Sequence, residues 1–567
     1  MAGDNVISPA NSDPAVGGRV ADGGGPAPII IPRVLTDLID DAVTNHGDRI
    51  AIDFMGRRWT YAEIGAQVDR VAAGLQAMGV GPETRLGLCL PNTPYFVVLY
   101  FAAFKCGATI VNFNPLYVEH ELSHQIRDSG TTIMAVPDVT MIHGKVAAVA
   151  EECGVKKVIV CPMADILPPL LGIGYRLFKR KDIAPWPRDE RHISFRTLLA
   201  SKAKLRPVPI APDDVAVLQY TGGTTGVPKG AMLTHANLTA NSAQMVLHVK
   251  GEPAGQDRIL GVLPMFHVFA LTTVLNFSID TAAEMILLPR FEIDQFLKTA
   301  KRTRPTKLLA VPTMLTAINK AAESREIHFD DLDFVVSGGA PLPFDVRATF
   351  ERLTGARVVE GYGLSEASPI ITCNPCYGVV KDNSAGPAFP ATIIEIRSLD
   401  DPHKLMPAGE RGEVSARGPQ VMKGYWNRPE DTDKVFIDGA LRTGDIGYLD
   451  EDGYLFLVDR IKDVIICGGY NVYPRVIEEA LYEFPAVLEA VVIGVKDEYR
   501  GQAPKAFVVL RPGHDTSTDA IAEFLKTRLS KIELPRAIEI RQSLPKTLIG
   551  KLSKKELVAE EALKSAS

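Results

Sequence analysis

The stretch Tyr220 to Gly230 reads YTGGTTGVPKG. Glycines let backbone amides come close to an anion, threonines add hydroxyl donors, and a lysine adds a mobile positive charge, so this is the chemistry of a polyphosphate cradle. Its candidate donors are Thr221, Gly222, Gly223, Thr224, Thr225, Gly226 and Lys229. It is not a Walker A loop, in which Gly-Lys-Ser/Thr opens a helix. Here Val227 and Pro228 separate Gly226 from Lys229. Cys373 and Cys376 form a CxxC without a second pair, which reads as two loop thiols rather than a metal site. Residues 166 to 181, ILPPLLGIGYRLFKRK, are apolar with a basic end. They read either as a surface segment lying on an anionic membrane or as a packed helix with a solvated basic tip, and the packed helix is the expectation.

A cradle of this kind needs a strand to deliver it, and DVAVLQY (Asp214 to Tyr220) runs directly into it. An earlier series alternates apolar strands with helices: TRLGLCL, an apolar helix from Thr93, ATIVNF, a helix near Glu119 to Arg127, TTIMAV and KKVIVC. A second series follows Asp214 with RILGVLP, AEMILLP, KLLAVP and DFVVSGG. Apolar strands separated by helices predict parallel sheets covered on both faces, so the two series predict two sheet-containing lobes of one α/β body. After about Ala391, ATIIEIR, GEVSARG and GYLFLV between Gly-rich turns predict a small β-rich subdomain. Beyond the polar stretch Asp459 to Asp463, about 100 residues predict a compact α+β unit with its own core. The expected division is a tail at 1–28, a large domain at 29–459 and a small C-terminal domain at 460–567.

The 567 residues exceed what one core supports. Lys and Arg number 62 against 68 Asp and Glu, a formal net charge of −6, so general nucleic-acid binding has no electrostatic motive. Seven scattered cysteines point to a reducing, cytoplasmic setting rather than a disulfide framework. The longest apolar run, Tyr95 to Phe104, is half of what a membrane span needs and reads as a buried helix. The first 28 residues lack the basic start and apolar stretch of a signal peptide.

Further segments follow the cradle in order: EGYGLSE (Glu360 to Glu366), RTGD (Arg442 to Asp445), DRIK (Asp459 to Lys462) and PKTLIGK (Pro545 to Lys551). Together with it they resemble the phosphate loop, adenine and magnesium motif, ribose motif, interdomain hinge and C-terminal lysine motif of the adenylate-forming superfamily. That superfamily holds acyl-CoA synthetases, luciferases and peptide-synthetase adenylation domains. The resemblance covers residues 30 to 560. It is greatest to bacterial long-chain fatty-acid–CoA ligases, on EGYGLSEASPIITCNP and VDRIKDVIICGGYNVYP.

The resemblance implies an ATP- and Mg²⁺-dependent ligase that couples a medium- or long-chain fatty acid to CoA through an acyl-adenylate. An anion must then meet a polyanion, so catalysis is positioning plus cationic stabilisation. Glu366 and Thr221 are implied at the metal, with Glu360, Gly361, Tyr362, Gly363, Ser365, Gly339 and Ala340 at the nucleotide. Asp445 is implied at the ribose, and Arg460 and Lys462 are implied to bind the nucleotide from the hinge, Arg460 reaching ribose or phosphate. The domain at 460–567 is implied to be a mobile α+β lid whose catalytic Lys551 swings in for adenylation and leaves for thiolysis, with Gly468, Gly469 and Tyr470 facing CoA. Met265, Phe266, His267 and Gly338 are implied at the acyl pocket, where His267 is either a catalytic residue that gates or orients the carboxylate or a satisfied core histidine. Amino-acid-activating relatives place Asp where His267 stands, which disfavours an amino-acid substrate. Two departures from the pattern are Ser365 for Thr and Ile466 where some relatives carry lysine. Alternatives left open are an aromatic or dicarboxylic acid–CoA ligase, an acyl-AMP ligase loading a carrier protein, a Walker-type NTPase and a non-catalytic nucleotide-binding scaffold. A homodimer and peripheral membrane contact through 166–181 are also left open.

Overall fold

The computed structural model describes residues 28–187, 189–221, 228–249, 257–468, 470–497, 499–547 and 552–566. Short, wholly apolar strands can only be buried on both faces, and two large sheets do this. One has seven strands, ordered His192–Ser194, Lys157–Cys161, Ile133–Pro137, Arg85–Leu88, Thr109–Asn112, Val215–Thr221 and Lys229–Thr234. The other has eight, ordered Ile370–Cys373, Arg357–Gly363, Phe334–Gly338, Lys307–Ala310, Arg258–Gly261, Glu284–Leu287, Ile50–Phe54 and Arg57–Thr60. Both are parallel except at the edges, where Lys229–Thr234, Ile370–Cys373 and Arg57–Thr60 run antiparallel to their neighbours.

Sheet membership departs from the order of the two series. Val215–Thr221, which opens the second series, joins the sheet of the first through Thr109–Asn112. The hairpin at residues 50–60, which precedes both series, joins the second sheet, Ile52 pairing with Met285. Helix Pro94–Lys105 carries the apolar run Tyr95 to Phe104, and every residue of that run is buried. It belongs to the large core that unites residues of both sheets.

A five-stranded, antiparallel sheet is built on Ile393–Arg397, Gly412–Arg417, Ala440–Leu449, Phe436–Ile437 and Leu455–Arg460. A single turn at Ile461–Asp463 leads into the last sheet, in which Val487–Asp497 and Gly501–Leu510 form the long central pair. The C-terminal strands and helices bury Ile465, Ile477, Val492, Val508 and Ile521 in a cluster of their own. Among the described residues, no core cluster mixes residues from before Arg460 with residues after it.

Helix Pro169–Phe178 differs from the packed helix expected there. Gly172 is its sole buried residue. Leu170, Leu171, Ile173, Leu177 and Phe178 are exposed, so the apolar residues expected to pack face outward. No helix among the described residues is long and apolar enough to cross a membrane.

Candidate functional site

One cleft of about 510 Å³ gathers residues far apart in the chain. Strand Val215–Thr221 is buried along its middle and delivers Thr221 to the rim; Lys229 sits opposite it in the returning strand. Lys229 Nζ lies 3.1 Å from Asp431 Oδ2 and above the Tyr425 ring. A second wall comes from Phe334–Gly338, fully buried, which ends where Gly339 takes φ +82°, a conformation glycine adopts without strain. Gly338 and Gly339 line the cleft, and a Cβ on Gly338 would stand 3.1 Å from the Phe269 ring. The neighbouring strand Arg357–Gly363 contributes Gly361, Tyr362 and Gly363. A Cβ on Gly363 would lie 2.1 Å from the Pro369 carbonyl oxygen, so glycine is required there by space alone.

The charged end is set by hydrogen bonds. Tyr362 OH donates to Asp445 Oδ2 at 2.5 Å, and Arg460 Nε donates to Asp445 Oδ1 at 2.8 Å. Burial first, and the Asp445 carboxylate next, hold the Tyr362 phenol far above its ordinary pKa, so it stays a donor. The turn before Asp445 is held by buried Glu413, which accepts from Arg442 Nε at 2.8 Å and from the Gly444 amide at 3.2 Å. Glu366 follows Ser365 in a short helical turn and accepts from Tyr425 OH at 2.8 Å. The Glu366 carboxylate and the Thr221 hydroxyl thus belong to the same cleft. A hard cation that takes most of its oxygens from phosphates and water needs no more than this. Among the described residues no group of three His, Cys, Asp or Glu could hold a metal unaided.

His267 lines the cleft and caps a short helical turn, its Nδ1 accepting from the Phe269 amide at 3.3 Å. A π turn, Leu271–Asn276, follows; such turns are frequent at functional sites. Around them the cleft is apolar, walled by Val268, Phe269, Ala270, Val311, Val336 and Ile370. Met265 and Phe266, expected at the acyl pocket, do not line it. Met265 is fully buried, its amide donating to Asn92 Oδ1, and the Phe266 carbonyl accepts from Gln219. Both serve to fix the loop that presents His267.

Ala340, Glu360 and Asp445 also lie off the cleft surface, Asp445 beside Tyr362, Gly444 and Arg460, which line it. Glu360 Oε2 accepts from the Leu342 amide at 3.3 Å, and burial pushes its carboxyl up to about 7, against the opposing charge of Arg475. Lys462 sits outside the cleft in the turn after Arg460, its pKa lowered by burial and by the Arg460 charge. Gly468 takes φ +59° and Tyr470 is exposed, neither of them on the cleft. Gly222, Gly223, Thr224, Thr225, Gly226, Gly469 and Lys551 lie outside the described residues. Cys373 and Cys376 are buried thiols, and burial pushes Cys376 up to about 12.

Glu413 and Tyr425 are site residues that the motifs do not include. Glu413 could have been found from strand pairing, since it sits opposite Ile446 beside the RTGD turn. Tyr425 carries no such signal; it reaches Glu366 through an isolated bridge to Ala231.

Residues 39–426 match the family model described as AMP-binding enzyme, and residues 476–551 match its C-terminal domain. The chain belongs to the AMP-binding enzyme family. This AMP-binding enzyme is 39% identical over 533 residues to a long-chain-fatty-acid–CoA ligase of Bacillus subtilis, covering 93% of this chain and 95% of that protein. It is 34% identical over 511 residues to a feruloyl-CoA synthase of an Amycolatopsis species, covering 89% and 95%. The crystal structure of ATP-bound MatB from Rhodopseudomonas palustris superposes with a TM-score of 0.81 at 30% identity, covering 93% of this chain and 98% of that one. The AMP-binding enzyme is an adenylate-forming acyl-CoA ligase.

Proposed function

We propose that the acid is a medium- or long-chain fatty acid. The observation that carries this is the uncharged wall of the cleft: of Leu263, Pro264, His267, Val268, Phe269 and Ala270, His267 alone has an ionisable side chain. A dicarboxylic acid or an amino acid would need a fixed partner for its second charge, because a buried unpaired charge is costly. The name of the Bacillus subtilis relative supports the same reading, and that of the feruloyl-CoA synthase keeps an aromatic acid as the second reading.

In the first step a carboxylate oxygen attacks the α-phosphate of ATP, and the bond to pyrophosphate breaks. In the second the CoA thiol loses its proton and attacks the acyl carbonyl, and AMP leaves. Lys229 and the glycine–threonine loop, 222–227 included, would hold the outer phosphates. Tyr362 would pack on adenine while Asp445, with Arg460 beside it, accepts from the ribose. Glu366 and Thr221 would hold Mg²⁺, which when bound neutralises phosphate charge. Lys551 would bridge carboxylate and α-phosphate during adenylation, carried by a C-terminal unit that pivots near Lys462 and then turns Gly468, Gly469 and Tyr470 toward CoA.

The test is acid-dependent exchange of pyrophosphate into ATP, followed by CoA-dependent turnover, over straight-chain acids, benzoate, ferulate and dicarboxylates. Specificity rising with chain length supports the reading. Highest kcat/KM for an aromatic or dicarboxylic acid rejects it, and exchange without CoA transfer would favour loading of a carrier protein.

A further inference from the structure

Helix Pro169–Phe178 presents its apolar side to water. At 100° per residue, Leu170, Ile173 and Leu177 fall within one narrow arc, and they are 84%, 54% and 68% exposed. Phe178 at the end of the helix is 87% exposed. The orientation is fixed by the body of the protein. Gly172 sits on the opposite side, where an added Cβ would lie 2.6 Å from the Ala164 carbonyl oxygen, so the glycine side is pressed inward. Asp165 holds the helix base by accepting from Arg176 Nη2 at 2.7 Å and from Arg196. The outward leucines are therefore a defined face rather than a frayed end.

A basic turn follows at once. Lys179, Arg180 and Lys181 are exposed, with Asp182 as their neighbouring acid, 3.5 Å from Lys179 Nζ. Exposed Met141 lies beside this turn, where the Thr140 hydroxyl donates to the Lys181 carbonyl at 3.4 Å. The chain as a whole carries −6, so this cluster is a local reversal of sign.

We propose that this face docks on an anionic lipid bilayer. A ten-residue helix is too short to span, but an apolar arc beside a basic cluster is what lies in the plane of a charged interface. A twofold pairing of the same face would instead bring two copies of Lys179, Arg180 and Lys181 into one interface. The inference rests on this surface alone and not on which acid the enzyme activates.

The test is flotation of the full-length enzyme with phosphatidylcholine vesicles, with and without phosphatidylglycerol. Two variants are compared, one with Leu170→Glu and Leu177→Glu, the other with Lys179→Glu, Arg180→Glu and Lys181→Glu. Wild type floats with the anionic vesicles alone, and each variant loses binding at least about ten-fold. Melting curves and turnover of a water-soluble short-chain acid stay unchanged, since these side chains face solvent. Wild type that fails to float overturns the proposal. So does flotation indifferent to both variants, which would place the contact elsewhere. A dimer in light scattering that the leucine variant dissociates, without vesicle binding, would assign the face to a second copy.

Discussion

Removing the carboxylate of Asp445 tests the proposed ribose contact most directly. A carboxylate offers about four lone-pair sites. Tyr362 OH takes one at 2.5 Å and Arg460 Nε another at 2.8 Å, which leaves two for neighbouring hydroxyls of a ribose. The side chain is 12% exposed, so hydrogen bonds to it escape most competition from water. Each hydrogen bond to a charged group is worth about 1.5–3 kcal/mol, and two bonds on one group are less than additive. Asp445→Ala should therefore cost roughly 2–4 kcal/mol in kcat/KM for ATP, about 30- to 700-fold. The assay is pyrophosphate release at saturating acid with ATP varied. The same measurement with 2′-deoxy-ATP and 3′-deoxy-ATP separates two roles. If the carboxylate grips the ribose, its loss costs at least about ten-fold less on a nucleotide that lacks the hydroxyl. An undiminished penalty on both deoxynucleotides would refute ribose binding and leave Asp445 as a support for Tyr362 and Arg460.

Other predictions concern charge and folding. Glu360 is held near 7 by burial, against 4.5 ordinarily, so as pH rises through that window the unfolded chain gives up a proton that the folded chain keeps, and stability falls. Glu360→Gln should remove roughly 1–3 kcal/mol of that loss, seen as non-parallel urea midpoints between pH 5 and 8; parallel profiles would discard the idea. Asp53 is fully buried and takes both Arg302 nitrogens at 2.6 and 2.7 Å, which with Arg58 outweighs burial and lowers its pKa. Its contribution is present above 3.8 and lost as pH falls through the folded value. Asp53→Ala should cost about 2–3 kcal/mol at neutral pH with kcat unaltered, by chemical denaturation; a cost below half a kcal/mol would contradict it. Lys551→Ala should abolish adenylation yet leave thiolysis of supplied acyl-adenylate, and equal loss of both steps would rule out a lysine that departs between them.

Much of the fold is legible because parallel strands buried on both faces are apolar runs. KLLAVP and DFVVSGG are found as Lys307–Ala310 and Phe334–Gly338. Sheet membership is not legible, because a local run carries no mark of its distant partner; Ile50–Phe54 finds Glu284–Leu287 across more than two hundred residues. At the site, short motifs identify Thr221, Lys229, Tyr362, Glu366 and Arg460, which the structure brings to one cleft. Glu413 and Tyr425 escape notice because their value lies in whom they touch. Apolar periodicity says that Leu170, Ile173 and Leu177 share a face, but not that the face is turned to water.

The separation of apolar clusters on either side of Arg460 has an energetic consequence. Among the described residues, displacing the smaller unit against the larger one would break no apolar cluster shared by both. What has to be exchanged are polar ties such as Asp459 Oδ2 with the Arg475 amide, 2.8 Å apart, and Arg511 with Asp345. Water and dissolved ions can substitute at little expense for the exposed Arg511–Asp345 pair, whereas Asp459 is buried and its bond to the Arg475 amide costs more to lose. Were the smaller unit to pivot as proposed, ionic strength would act on the exposed tie while each half keeps its own fold.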